Sequence, residues 1–396
     1  MRLTSEPDGC RFELPDLGSN YGVDIGQVRL ALRGNTKAEE VAETLWHLLG
    51  QVVTVRQDAG PEADETGKRR RGNTILDYRD TLPADLWPIL ILDASGRVRT
   101  LYRYWEKRRS GLIRLPVGAK NYGNHTCHVW KKAGSKHAWK DRERADHLVS
   151  GIAATIRESL HEDWLVIVHK AGTIRGFDVA EEVIKRLPPE ARVEFTTWGK
   201  QDATNKFSEI PNVILAGTLF FPASLLEAQG RCAAAYPSQA GDFAKTDIDE
   251  VEIGEHHHRI LQALCRGRVR KCDGAACPPD THTYIIAHAL SGIPQTIGHI
   301  LPGAAVTEWR PRISVVLKGK MAAAFKVIRQ HPEGCITASQ VMTAIGWPHG
   351  KEGSKDFKSR IRDNPCFQDA LAVGVEEVRQ GRGGQIWFAR SSAISD

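Results

Sequence analysis

The sequence predicts an α/β protein: a helix-covered parallel sheet in the middle of the chain, a C-terminal module of three helices and a hairpin, and a partly irregular α+β N-terminal region. Three observations predict it. Between about 156 and 303, short apolar runs alternate with amphipathic stretches, the pattern of strands joined by crossover helices. From about 318, three helical patterns precede two β-rich runs around a glycine-rich tip. From 1 to about 155 neither period persists for long.

With 396 residues there is room for two or three domains, and 41% hydrophobic content is ordinary for globular cores. The formal net charge of +6 is compatible with a polyanionic partner without demanding one. No apolar stretch approaches the roughly 20 residues of a membrane helix, and the N-terminal residues lack the apolar core of a signal peptide. A cytoplasmic protein without a membrane partner is expected. The 8 cysteines are scattered, which favours reduced thiols over a disulfide framework.

Along the chain, Lys37 to Leu49 reads as an amphipathic helix, "DAGPEADETGKRRRGN" as a solvated loop, and "LWPILILDASG" as a buried strand bounded by Pro88 and Gly96. "NHTCHVWKKAGSKHAWK" reads as a basic aromatic loop, either plain surface or a nucleic-acid contact in which Trp130 and Trp139 stack on bases. Strands are then expected at "WLVIVH", "RVEFTTWG", "NVILAGT" and "TYIIAHA". Helices are expected at "FDVAEEVIKRL", stopped by Pro188 and Pro189, and at "PASLLEAQGRCAAA" and "HHHRILQALCRGRVRK". This order suits a RecA-like or Rossmann-like domain, whose ligands sit at the C-terminal strand ends, here "HKAG", "TWGK" and "AGT". In the last part, "KMAAAFKVIRQHP", "TASQVMTAIG" with Thr337 as N-cap, and "SKDFKSRIRDNPCFQDAL" from Ser354 are three helices. With the hairpin "GVEEVRQGRGGQIWFAR" they match a winged-helix arrangement. Phe357 and Ile361 should face inward, leaving Lys355, Lys358 and Arg362 on the outer side, with Arg379 and Arg382 at the wing, to meet nucleic-acid phosphates. A protein-binding winged helix with a solvated basic face is the plainer alternative.

If "HHHRILQALCRGRVRK" is one helix, Ile260, Leu261, Leu264, Cys265 and Val269 bury one face. Gln262, Arg266 and Arg270, at i, i+4 and i+8, form a second stripe whose guanidinium forks suit phosphate. A solvated basic face is again the alternative. His256, His257 and His258 with Cys272 and Cys277 carry zinc-type side chains, but consecutive helical histidines diverge and a lone C-x4-C is a poor knuckle, so no metal site is expected.

The stretch "QALCRGRVRK" resembles the arginine-finger motif of superfamily 2 helicases and related ATPases. "ILDASG" (Ile91 to Gly96) resembles the coupling motif that ends their first RecA-like domain, and "WLVIVHK" the strand that opens the second. "TTWGKQDATNKFSEIPNVILAGTLF" is similar to a stretch of phage and prophage helicases. The resemblance spans about Ile91 to Ala289. It implies a partial first RecA-like domain within 1–155, a complete second one at 156–303, and a winged-helix domain at 318–396. It further implies that Gln262, Arg266 and Arg270 sense a nucleotide, that Asp93, Ser95, Gly217 and Thr218 couple its state to DNA, and that DNA is a partner. Two departures stand out. Val269 occupies the usual place of the second arginine, which leaves Arg270 as the substitute. No G-x-x-x-x-G-K-[ST] loop is present, nor an acidic Asp-Glu pair on a strand before Asp93, so the chain alone is expected to bind no cofactor. ATP and Mg would be held by a separate N-terminal ATPase half. The alternative is a non-catalytic DNA-binding or regulatory protein on an α/β scaffold.

Overall fold

A computed structural model describes residues 6–63, 69–76, 85, 87–116, 118, 120–171, 174, 176–200, 204–237, 243–313, 317–332, 334–372, 375–379 and 386–390. The chain opens with β1 (Arg11–Glu13), α1 (Leu17–Tyr21), α2 (Ile25–Leu32) and α3 (Thr36–Leu48). Each of these helices starts where a side-chain oxygen of Asp16, Asp24 or Asn35 accepts a first-turn N–H that has no partner inside the helix. Then come β2 (Val52–Ala63), β3 (Arg69–Leu76), α4 (Thr100–Tyr104) with a π-helical turn Trp105–Arg109, β4 (His125–Trp130), α5 (Arg142–Glu158), β5 (Asp163–Val168), α6 (Val179–Ile184) and β6 (Arg192–Thr197). β7 (Asn212–Leu215), α7 (Ala223–Ala233), α8 (Lys245–Leu264), β8 (Thr281–Ile286), α9 (Ile293–Ile300) and β9 (Ala305–Glu308) follow. Last are α10 (Gly319–Gln330), β10 (Cys335–Thr337), α11 (Ala338–Ala344), α12 (Gly350–Phe357), α13 (Pro365–Ala372), β11 (Val375–Arg379) and β12 (Ile386–Arg390).

Six strands form a parallel sheet flanked by helices, in the order β6-β5-β7-β8-β4-β9. β5 and β7 are buried along nearly their whole length, as continuous apolar runs must be when both faces are covered. β1, β2 and β3 form an antiparallel sheet, and β10, β12 and β11 another. Contacts divide the chain into two units, Met1–Ser135 with Trp198–Glu308 and Lys136–Thr197 with Trp309–Asp396. Both are discontinuous in sequence, unlike the continuous segments expected.

Within the first unit, antiparallel β2 and β3 take up 58–63 and 69–73 of the solvated loop expected at 58–73, and 64–68 lie outside the described residues. The polar residues of β2 and β3 are compatible with strands because the ladder forms through backbone groups. Of "LWPILIL", the described residues Trp87–Leu92 are not a strand, and their side chains are exposed instead of buried. "HTCHVW", expected in a loop, is β4, between β8 and β9. Trp130 and Trp139 are buried and cannot stack on bases.

Within the second unit, α5 is buried on most sides from Leu148 to Ile156. The boundary expected at 155 falls inside it. α10 to α13 and the β10-β12-β11 sheet enclose a separate core of Ile328, Ile336, Val341, Phe357, Ile361, Phe367 and Phe388. Thr337 caps α11 with Gln340 in a reciprocal capping box, as expected. The helix expected from Ser354 instead begins at Gly350, widens into a π-helical turn at Lys358–Arg362 and ends, because Asn364 accepts the Cys366 N–H and Pro365 opens α13.

Candidate functional site

The expected coupling turn and the expected arginine stripe meet on α8. Asp93 Oδ1 accepts the Ser95 N–H at 2.8 Å and its hydroxyl at 2.6 Å, while Tyr102 donates to Oδ2 at 2.9 Å. This is an Asx turn with a third donor. Burial pushes the Asp93 carboxyl up, but the Ser95 and Tyr102 hydrogen bonds, with nearby His258, outweigh it and hold the carboxyl below its ordinary range. Ser95, fully buried, lies 2.5 Å from His258 Nδ1. His258 is itself held below the ordinary histidine range by burial and by Arg99. One turn from the anchor, the Arg99 fork grips buried Glu255 of α8, Nε to Oε1 at 2.5 Å and Nη2 to Oε2 at 3.2 Å.

His258 and Gln262 stand at i and i+4 on α8, so the Ser95 contact and the Gln262 amide share one helix edge. The helix ends at Leu264, however, and does not carry Arg266 and Arg270 as a continued stripe. Gly267 forces the ending. A Cβ there would lie 2.5 Å from Val213 Cγ2 and 3.0 Å from the Ile210 carbonyl, and the Arg268 N–H donates to that carbonyl, drawing the chain onto the start of β7. The residues Arg268–Arg270 make a short 3-10 turn. Arg266 folds back, donating from Nε to the Gln262 carbonyl at 3.2 Å, from Nη2 to Gln262 Oε1 at 3.1 Å, and from Nη1 to the Thr204 carbonyl at 3.3 Å. It thereby satisfies a last-turn carbonyl that a helix leaves open. Arg270 donates to Asn205 Oδ1 at 2.5 Å, and Lys271 pairs with Glu209. Gln262 and Arg266 are therefore brought together, with Arg270 beside them through the 204–205 segment.

Gly217 has φ +91°, and its Cα face lies against the Gly134 carbonyl group, well inside the space a side chain would need. Another backbone fills the place where the "AGT" strand end was expected to admit a ligand. Thr218 is buried beside it. On β4 and β8, His125 Nδ1 lies 3.0 Å from Thr281 Oγ1, and the His128 ring stacks on Tyr284 with centroids 4.4 Å apart. Burial, together with neighbouring His282, pushes His125 down to about 3 and His128 down to about 4. Burial likewise lowers His256 and His257 to about 4. These rings are neutral when folded, while unfolded histidine titrates near 6.5. Their stabilisation is present above about pH 6.5 and is lost as pH falls through the folded values near 4, because the unfolded chain then binds more protons. Urea midpoints measured from pH 7.5 to 4.5 should therefore fall steadily below pH 6.5; a flat profile would contradict neutral burial.

In the C-terminal module Phe357 and Ile361 face inward, and Lys355 and Lys358 are exposed, as expected. Arg362 is not on the outer side: its side chain is 12% exposed and pairs with Asp363 at 3.0 Å and Glu377 at 3.8 Å. The break before Pro365 turns it toward β11. The side chain of Arg379 and all of Arg382 lie outside the described residues. Among the described residues no group of His, Cys, Asp and Glu side chains gathers as metal ligands.

The sequence offered His258 only as a zinc-type side chain, and Glu255, Thr204 and Asn205 were not singled out. The i, i+4 step from His258 to Gln262 was a usable signal, whereas the others connect across long sequence separations. No family model matches the chain, and no curated protein does.

Proposed function

We propose that the chain is the C-terminal portion of a superfamily 2 helicase-type protein of the phage and prophage kind, associated with DNA and working beside a separate ATPase half. In this reading the parallel sheet belongs to a RecA-like domain and the C-terminal module is a winged helix. One observation carries it: a single helix, α8, joins the Asp93–Ser95 turn through His258 to Gln262, with Arg266 hydrogen-bonded to Gln262 just beyond its end. The segments whose letters resemble the coupling and arginine-finger motifs are thus physically linked. A shift of the Ser95 turn would move His258, and a rigid helix would carry that movement to Gln262.

Arg266 and Arg270 are the groups that would stabilise charge developing on a transferring phosphoryl group, with Gln262 orienting Arg266. The sequence has no phosphate-cradling loop, so these residues do not fit ATP and Mg by themselves, and no hydrolytic step is assigned to this chain alone. Lys355 and Lys358 are the DNA contacts on the exposed face of α12 and the turn after it. A second reading, a non-catalytic winged-helix DNA-binding or regulatory protein, is favoured by the partners Arg266 and Arg270 already have within their own unit.

The test is binding of single-stranded and duplex DNA across a salt series, with ATPase assayed alongside. Binding should weaken with salt and survive Arg266→Ala/Arg270→Ala. Lys355→Ala/Lys358→Ala should weaken it and lower the salt slope on duplex by about 0.9 for each phosphate no longer neutralised. No ATPase is expected from the chain alone. ATPase dependent on Arg266 would reveal a nucleotide site in this chain, and absence of DNA binding would sink both readings.

A further inference from the structure

Trp87 to Leu92 reads Trp-Pro-Ile-Leu-Ile-Leu, and its five large apolar side chains are between 43% and 88% exposed. Among the described residues, no backbone group of this segment makes a hydrogen bond. Its apolar side chains are therefore largely open to solvent, and among the described residues neither of its backbone edges is paired. The chain is fixed immediately afterwards, where Asp93 is bound by Ser95 and Tyr102 and Ser95 meets His258. A strand-forming run is thus held out from a rigid anchor.

We propose that Trp87–Leu92 docks by strand addition on the open edge of a parallel α/β sheet in a separate protein. The pattern selects the occupant. A strand with one face in water alternates apolar and polar residues, whereas this run is apolar at every position, the pattern of a strand covered on both faces by helices. Pro88 lies near its start, where a missing N–H donor is tolerated. The edges of this chain's own sheet do not offer such cover. All four side chains of β9 are exposed and none in β6 is buried, so a second copy adding its run there would leave much of it in water. The five side chains expose on the order of 700 Å², near the ~800 Å² that each partner buries in a stable specific interface. The inference rests on this geometry and not on the helicase reading; a partner with a phosphate-binding loop would join the two.

The experiment places a benzophenone photocrosslinker at position 90 or 92 of the full chain in the cells that make it. Leu290, as exposed as Leu92 at 88%, is the control position. Expected is one protein crosslinked from 90 and 92 but not from 290, through residues on an edge strand of a parallel sheet. Ile89→Asp/Ile91→Asp should cut that product at least about tenfold with the urea midpoint unchanged. Crosslinks only to a second copy, only to helices or loops of other proteins, equally from Leu290, or none at all would overturn the proposal. A captured sheet protein without a phosphate-binding loop would uphold the docking and count against the helicase reading. Loss of DNA binding alone would count against that reading and leave the docking intact.

Discussion

Gly217→Ala is expected to lose about 3 kcal/mol or more of stability, and Gly199→Ala only about 1. Both glycines have φ near +90°, which an alanine adopts only with strain. At Gly199 a Cβ would meet nothing within 4 Å, so the cost is backbone strain alone. At Gly217 the new Cβ would lie 2.7 Å from the Gly134 carbonyl carbon and closer still to its oxygen, with backbone on both sides and no flexible side chain to yield. The reciprocal contact is looser but still too close for a side chain, since a Cβ on Gly134 would be 2.7 Å from Gly217 Cα and 2.9 Å from Ile286 Cγ2. In the sheet, β8 lies between β7 and β4, so the segments following the outer two strands meet over the end of the middle one. Chemical denaturation of the two single variants measures the difference. Equal losses would mean that the close approach relaxes freely.

The second large effect is expected at Glu227, where Glu227→Ala should cost about 3–5 kcal/mol. Its carboxylate, buried on α7, accepts four hydrogen bonds: from Arg56 Nε at 2.7 Å and Nη2 at 2.9 Å, and from Arg231 Nε at 2.9 Å and Nη2 at 2.8 Å. Arg231 is fully buried, so deleting Glu227 takes the two hydrogen bonds of this carboxylate from a guanidinium in a dry site. The same seam includes Asp58, which accepts the Ser224 N–H at 3.1 Å and its hydroxyl, so β2 is fastened to α7 at two points. Glu227→Leu combined with Arg231→Met should recover much of the loss, because a buried ion pair replaced by apolar volume is often neutral. Urea unfolding of the single and double variants, with proteolysis of the hairpin as a second readout, tests this. A single variant as stable as the parent would mean that water reaches Arg231.

The sheet strands that were legible share one property. "WLVIVH", "NVIL" and "TYII" are continuous apolar or β-branched runs, and each is a strand. "HTCHVW" lies in the same sheet but carries two histidines, and the ladders to Thr281–Ile286 and Ala305–Glu308 make it a strand. "WPILIL" has the composition of a strand but pairs with none among the described residues, and its large side chains are exposed. Phe357, Ile361 and the Thr337 cap were legible because they depend on local spacing. Arg362 was misplaced because a break two residues later turned it toward Asp363 and Glu377.

By itself the sequence determined the parallel α/β class, most of its strands, the Thr337 cap and the grouping of Gln262 with Arg266, all consequences of periods and contacts within a few residues. Only the tertiary structure decided which runs pair. It decided that α8 stops at Leu264 because Gly267 must pass β7, that Gly217 is a glycine because Gly134 lies against it, and that Ser95 reaches His258. These depend on backbone approach between segments far apart in the chain. No local period encodes such distances; only the folded packing sets them.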